Sequence, residues 1–240
     1  MPRSHTHDQH FLRSPAIVAE LIGHSNIRKN DTVYDLGAGS GVIASVLSRR
    51  CRKVVAVEHE PTALAKLRAN LDDADTVKIL DDDIMNVPLP DEDFKIFSNP
   101  PFSLTSPLVR RLCEAAHPPR AIYLIVQRQF ARKVVPSDQH FTSALGIQIA
   151  PLYAARIRRP LRKTDFTPPP AVDTVLLELR LRDEPLLPLE QMQSYRKWIA
   201  TMFADAIKYR KLPLERSGIP PQRKASELSP EQWLQLYTSG

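Results

Sequence analysis

The chain has little cysteine. Cys51 and Cys113 are the two in 240 residues, with no CxxC pair and no histidine pair at ligand spacing, so nothing suggests a metal and both read as packing residues. No apolar run approaches the roughly 18 residues that a membrane span needs. The N-terminus, Met1-Pro2-Arg3-Ser4-His5, lacks a signal-peptide core. A cytoplasmic protein without membrane partners is expected. Internal repeats and low-complexity tracts are absent too. What is there is ordinary for a soluble globular protein, 42% hydrophobic and 25% charged, with 22 prolines, about twice the usual share of about 5%. A chain of this length buries a substantial core and can hold a main domain with a small appendage.

The net charge of +6 and an isoelectric point near 9.4 admit a polyanionic partner. The distribution of charge says more. Residues 1–149 carry 18 Lys+Arg against 17 Asp+Glu, whereas residues 150–240 carry 15 against 10, so the excess lies in the C-terminal part. That split suits a near-neutral catalytic part joined to a basic arm able to grip a phosphate backbone.

Strand-like and helix-like segments alternate. Strands are predicted at Thr32–Asp35, Val54–Val57, Val77–Leu80, Phe94–Phe97 and the wholly apolar Ala121–Val126, with helices over Gly41–Arg50, Pro61–Leu71 and Leu104–Ala116. This is a doubly wound α/β pattern of Rossmann type. Two further strands, Leu152–Arg158 and Asp173–Leu181, flank a basic, proline-rich stretch. From about Pro188 the pattern turns helical, with Met192, Tyr195, Ile199, Met202, Ala206 and Tyr209 at helical spacing as a packing stripe, and a last short helix opens at Glu231 after Pro230. The change of class predicts a catalytic domain over residues 1–182 and a small all-helical domain over 183–240.

Two motifs carry chemistry. Gly37, Gly39 and Gly41 lie between a strand and a helix, where they allow a tight turn and close approach of a ligand to the helix N-terminus. Their G-x-G-x-G spacing is that of S-adenosylmethionine enzymes; the dinucleotide fingerprint places its third glycine one residue later. Glu58 ends the second strand, where a carboxylate can accept both ribose hydroxyl protons, and Asp83, before Ile84, can accept from a cofactor adenine amino group. Downstream, Asn99-Pro100-Pro101-Phe102 follows the fourth strand, at an edge where open α/β sheets bind ligands. The Asn99 side-chain oxygen and the Pro100 carbonyl can each accept one hydrogen of an adenine N6 amino group, localising its lone pair, while the Phe102 ring stacks on the base. Together the motifs point to methylation of an adenine amino nitrogen without a general base.

On these residues the chain resembles the ribosomal RNA adenine-N6 dimethyltransferases, most closely the erythromycin-resistance (Erm) methyltransferases acting on 23S rRNA. Gln9-His10-Phe11-Leu12 is similar to the family's N-terminal motif, and the glycine turn, Glu58, Asp83-Ile84 and Asn99–Phe102 follow in the family's order. Asp165–Asp173 is similar to the proline-rich segment beside the target-base pocket, and Glu231-Gln232-Trp233 to a motif near the Erm C-terminus. The resemblance implies a Rossmann-like domain with a small helical domain, S-adenosylmethionine as donor, and an adenine in the peptidyl-transferase loop of 23S rRNA as target. Resistance to macrolides, lincosamides and streptogramin B would follow, because N6 methylation replaces hydrogen-bonding capacity with apolar bulk. It also implies cofactor contacts from Gln9, His10, Leu12, the three glycines, Glu58, Asp83, Ile84 and Asn99.

Pro100 departs from the family, which has Ile or Leu there; the carbonyl survives and one N–H is lost. An arginine-rich tail seen in some relatives is missing, so RNA contacts are expected from Arg110, Arg111, Arg132, Lys133, Arg159, Arg162, Lys163, Lys208, Arg210 and Lys211, with Phe166 of the proline-rich segment beside them. A monomer acting on rRNA before full ribosome assembly is expected. Three alternatives stay open: the 16S rRNA dimethyltransferase of ribosome biogenesis, a DNA adenine methyltransferase, and a non-catalytic nucleic-acid-binding relative that acts as a transcription factor.

Overall fold

A two-residue strand, β1 (Phe11–Leu12), precedes α1 (Pro15–Gly23) in the computed structural model, which describes residues 10–137 and 141–239. The start of α1 is written locally: Ser14 accepts the Ala16 N–H at its cap and proline takes the first helical position. Val18, Leu21 and Ile22 of this helix are buried. Then β2 (Thr32–Leu36), α2 (Val42–Leu47), β3 (Lys53–Glu58), α3 (Pro61–Asn70), β4 (Val77–Asp81), β5 (Lys95–Ser98), α4 (Thr105–Cys113) and β6 (Ala121–Gln127) alternate as the apolar pattern predicts. At α3 the Glu60 carboxylate accepts the N–H groups of Thr62 and Ala63, which holds its own pKa low.

Further along come α5 (Arg128–Val134), α6 (Ala144–Ile149), β7 (Tyr153–Leu161), β8 (Phe166–Thr167) and β9 (Thr174–Leu181). One sheet runs in the order β4-β3-β2-β5-β6-β9-β7, parallel from β4 to β6 and antiparallel between β6 and β9. The chain lays β3 and β4 on one side of β2 and returns to add β5 on the other. The order therefore reverses between β2 and β5, which opens a crevice at their carboxyl ends. A separate two-stranded pairing joins β1 to β8, with Phe11 opposite Thr167 and Leu12 opposite Phe166.

The chain does not divide by the single expected cut at 182/183. One compact unit is Met1–Arg128 with Arg156–Arg180; the other is Gln129–Ala155 with Leu181–Gly240. The smaller unit takes α5 and α6, which pattern reading left inside the catalytic part. Among the described residues its remaining α-helices are α7 (Met192–Ala204), α8 (Ala206–Arg210) and α9 (Pro230–Thr238). Within it α6 packs on α7, and the Gln148 side chain donates to the Arg196 carbonyl at 2.8 Å.

The stripe expected to run unbroken from Met192 to Tyr209 is split between two helices. Asp205 adopts an extended backbone and caps α8 by accepting from Ile207 and Lys208, so Ala206 is exposed, whereas Met192, Tyr195, Ile199, Met202 and Tyr209 are buried. Trp233 of α9 is fully buried against Trp198, Phe203 and Tyr209. Both cysteines are buried, and burial pushes the Cys51 thiol up to about 11. Among the described residues no helix is long and apolar enough to cross a membrane, and no cluster of His, Cys, Asp and Glu could hold a metal.

Candidate active site

The crevice at the β2/β5 reversal is a cavity walled by the glycine turn, Glu58, the Asp83-Ile84 turn, the Asn99–Phe102 corner and the segment His10–Leu12. After β2 the backbone turns through positive φ at Gly37 and Gly39, and the N–H groups of Gly37 and Ala38 both donate to the Val57 carbonyl at 2.8 and 2.9 Å. A Cβ on Gly39 would stand 3.0 Å from the Phe11 ring. Gly41 has another task. It is not a wall of the cavity, and a Cβ there would stand 2.7 Å from Leu67 of α3, so glycine here serves close packing and a φ of +90°.

Glu58 is buried, and its carboxylate is largely occupied. Oε1 accepts the N–H groups of His59 and Glu60, each at 2.8 Å, and Oε2 accepts that of Gly39 at 2.8 Å. Of roughly four lone-pair positions on a carboxylate, one on Oε2 stays open. The side chain therefore shapes the glycine turn and offers one acceptor position, where the sequence suggested two. Asp83 Oδ1 accepts the Met85 N–H at 2.7 Å, and Oδ2 has no hydrogen-bond donor among the described residues. Ile84 is buried against this wall, 3.9 Å from where a Gly37 Cβ would be.

Asn99 follows β5, whose last residue, Ser98, donates to the Leu36 carbonyl and ties β5 to the end of β2. The Asn99 amide nitrogen donates to the His10 carbonyl at 2.6 Å. That bond assigns the amide: Nδ2 is spent, and Oδ1 is an acceptor with no partner among the described residues. The Pro100 carbonyl likewise has no donor among the described residues. The His10 ring lies 5.5 Å from that of Phe102, centroid to centroid, and its Nδ1 is 2.9 Å from the Pro168 carbonyl. Arg13 adds bonds to Thr167 Oγ1 and to the Asp165 carbonyl, so the proline-rich segment clamps the N-terminal strand against the corner. Gln9 lies outside the described residues.

Two residues escaped sequence reading, and a third, Arg111, was expected to contact RNA. Asp35, beneath the glycine turn, is fully buried, and among the described residues neither oxygen has a hydrogen bond of good geometry. Burial, with repulsion from Glu58, pushes it up to about 8, against a weaker pull from the Ala44 N–H. Phe11 lines the cavity over Gly39. Arg111 donates to the carbonyls of Ile84 and Val87. The first two stood inside quoted motifs without a role; nothing in the pattern marks the third as inward-facing.

The expected RNA contacts fare unevenly. Phe166 is fully buried in the hydrophobic core beside Leu12 and Leu161, so it cannot stack on a nucleotide; an aromatic on a two-residue strand faces inward here. Arg159 pairs with Glu20, Arg162 with Asp165 at 3.5 Å, and Lys163 donates to the Ala171 carbonyl at 2.6 Å. Arg110 pairs with Glu114 at 3.5 Å. In the other unit, Arg132, Lys133, Lys208, Arg210 and Lys211 are exposed, Lys208 with a loose 3.8 Å contact to Asp205.

Residues 3–237 match the family model described as ribosomal RNA adenine dimethylase. An rRNA adenine N-6-methyltransferase of Bacillus licheniformis is 31% identical over 184 residues, covering 74% of this chain and 62% of its own length. The chain thus spans about six-tenths of that relative. A ribosomal RNA small subunit methyltransferase A of Latilactobacillus sakei is 25% identical over 95% of this chain and 86% of its own. Among solved structures, that of the 23S rRNA methyltransferase ErmE superposes with a TM-score of 0.82 at 26% identity, over 95% of this chain and 98% of the other.

Proposed function

The chain belongs to the ribosomal RNA adenine dimethylase family, and from that premise we propose that it transfers methyl from S-adenosylmethionine to N6 of an adenine in the peptidyl-transferase loop of 23S rRNA. Resistance to macrolides, lincosamides and streptogramin B is the consequence. The observation that carries the chemistry is the pair of unpartnered acceptors at the end of β5, Asn99 Oδ1 and the Pro100 carbonyl, with Asn99 fixed by the His10 carbonyl.

The residues fit the cofactor. Gly37 and Gly39 leave the turn open to close approach, Glu58 Oε2 offers a place for one ribose hydroxyl, and Asp83 Oδ2 one for an adenine amino group. When bound, S-adenosylmethionine supplies a methyl group on a positively charged sulfur. Asn99 Oδ1 and the Pro100 carbonyl would each accept a hydrogen bond from one N6 hydrogen, turning the nitrogen lone pair toward the methyl; as the N–C bond forms the C–S bond would break to leave a neutral thioether, and the surplus N6 proton would pass to water. Phe102, half-buried and braced by His10, stacks on a base drawn out of its own stack. The preorganised acceptors make the nitrogen nucleophilic without its prior deprotonation, so no general base is needed before the transfer. The exposed cations of the helical unit hold the phosphate backbone. The enzyme acts as a monomer, in the cytoplasm, on rRNA not yet buried in the ribosome.

The ErmE match over nearly both full lengths favours the 23S target. The Latilactobacillus relative, matched over 95% of this chain, favours a second reading in which the adenines lie in 16S rRNA. Incubation with labelled S-adenosylmethionine and, separately, protein-free 23S rRNA, protein-free 16S rRNA, assembled subunits and duplex DNA distinguishes them. Label on one peptidyl-transferase-loop adenine, mapped by primer extension, is expected; label on 16S rRNA moves the assignment to the second reading.

A further inference from the structure

Arg111 belongs to α4, in a run that sequence reading assigned to RNA, yet its guanidinium is half-buried and faces the turn after β4. Nη1 donates to the Ile84 carbonyl at 3.3 Å and Nη2 to the Val87 carbonyl. Both carbonyls belong to the turn Asp83–Val87, which presents Asp83 and Ile84 to the cavity. The turn is closed on itself: the N–H groups of Asn86 and Val87 donate to the Asp83 carbonyl at 2.9 and 2.8 Å. The Arg111 fork pins that closed turn from outside. A guanidinium can bridge two carbonyls because its donors are held in a rigid plane, whereas an ammonium is a single point. The charges of Asp82 and Asp83 offset part of the cost of burying the cation. On its other side, α4 grows directly from the corner, through the short helical turn Phe102–Leu104.

We propose that Arg111 is a positioning residue for the nucleoside part of the cofactor. It fixes where the Asp83 carboxylate and the Ile84 side chain stand in the cavity, and it makes no contact with RNA. Because α4 begins at the Asn99–Phe102 corner, the same side chain keeps the adenine wall of the cofactor site in register with the site of the target base. This rests on the reading that the cavity holds S-adenosylmethionine.

The test compares the full-length chain with Arg111→Met, Arg111→Lys and Asp83→Asn. S-adenosylhomocysteine and methylthioadenosine are titrated calorimetrically, and protein-free 23S rRNA by filter binding. Arg111→Met is expected to weaken both nucleosides at least tenfold and by the same factor, with RNA affinity unchanged and partial recovery in free guanidinium ion. Arg111→Lys keeps charge and most of the volume but not the fork, so its loss falls between; it carries the test if Arg111→Met does not fold. Affinity within twofold of the parent for Arg111→Met, with Asp83→Asn clearly weakened, overturns the proposal and leaves the cofactor reading standing. Both variants within twofold overturn the two together. Loss of RNA affinity with nucleoside binding intact overturns the proposal and returns Arg111 to the RNA-contacting cations.

Discussion

The Asn99 side-chain amide donates to the His10 carbonyl at 2.6 Å, across 89 positions of sequence. One bond thereby joins the N-terminal strand to the corner after β5 and decides which end of the amide faces the cavity. A side chain with a donor and an acceptor at one end is ambiguous until a neighbour takes the donor. The strand that supplies the neighbour is held in turn by β8 and by the Pro168 carbonyl.

Asn99→Ala removes the oriented acceptor. The expected loss is about 2–4 kcal/mol of transition-state stabilisation, by analogy with removal of an oxyanion-hole donor. It falls on kcat, with S-adenosylhomocysteine affinity little changed. Single-turnover methylation alongside a binding titration separates the two; unchanged turnover would sink the mechanism.

Phe102 and Phe166 are two phenylalanines of the same region with opposite fates. Phe102 is half-exposed at the cavity and Phe166 is fully buried. Phe102→Ala should weaken placement of the base by about 1–3 kcal/mol, with the thermal melt nearly unchanged. Phe166→Ala should cost about 3–5 kcal/mol of folding stability by opening a core cavity. Thermal melts run beside RNA-dependent kinetics show which variant loses which property.

Sequence reading located β2 to β6 because their apolar runs are bounded by glycine, proline and acidic turns, and it placed the glycine turn and Asn99 at the same sheet edge. It missed α1, α5 and α6, which are short helices of six to nine residues with little room for a periodic signal. The β1/β8 pairing has two residues a side and no pattern of its own. The break at Asp205 hid because the spacing of apolar residues continues across it. Arg111 hid for a different reason: residue type does not say whether a guanidinium faces water or two carbonyls, and only the tertiary fold decides that.

Asp35 makes stability depend on pH. Its pKa is raised from 3.8 to about 8 in the folded protein, so the native state holds a proton that the unfolded chain has already released. Stability therefore falls as pH rises from about 4 to about 8, by at most about 1.4 kcal/mol per pH unit, and is flat beyond. Asp35→Asn keeps the shape without the titration. Its melting temperature relative to the parent should rise between pH 5 and pH 8; an equal difference at both pH values means that Asp35 is ionised throughout.

Charge on the helical unit should be read out as salt dependence. Lys208, Arg210 and Lys211 are exposed, and the 3.8 Å contact of Lys208 with Asp205 is a loose surface pair of little energy. Replacing all three by alanine should lower affinity for any rRNA and make the slope of log K against log salt shallower by about 2, since each phosphate contact to a single strand contributes about 0.7. The equivalent triple change at Arg159, Arg162 and Lys163 should do less to the slope, because those cations already serve Glu20, Asp165 and the Ala171 carbonyl. Binding isotherms between low and physiological salt measure both. A slope unchanged by the first set and shallower with the second would move the RNA grip from the helical unit to the proline-rich segment.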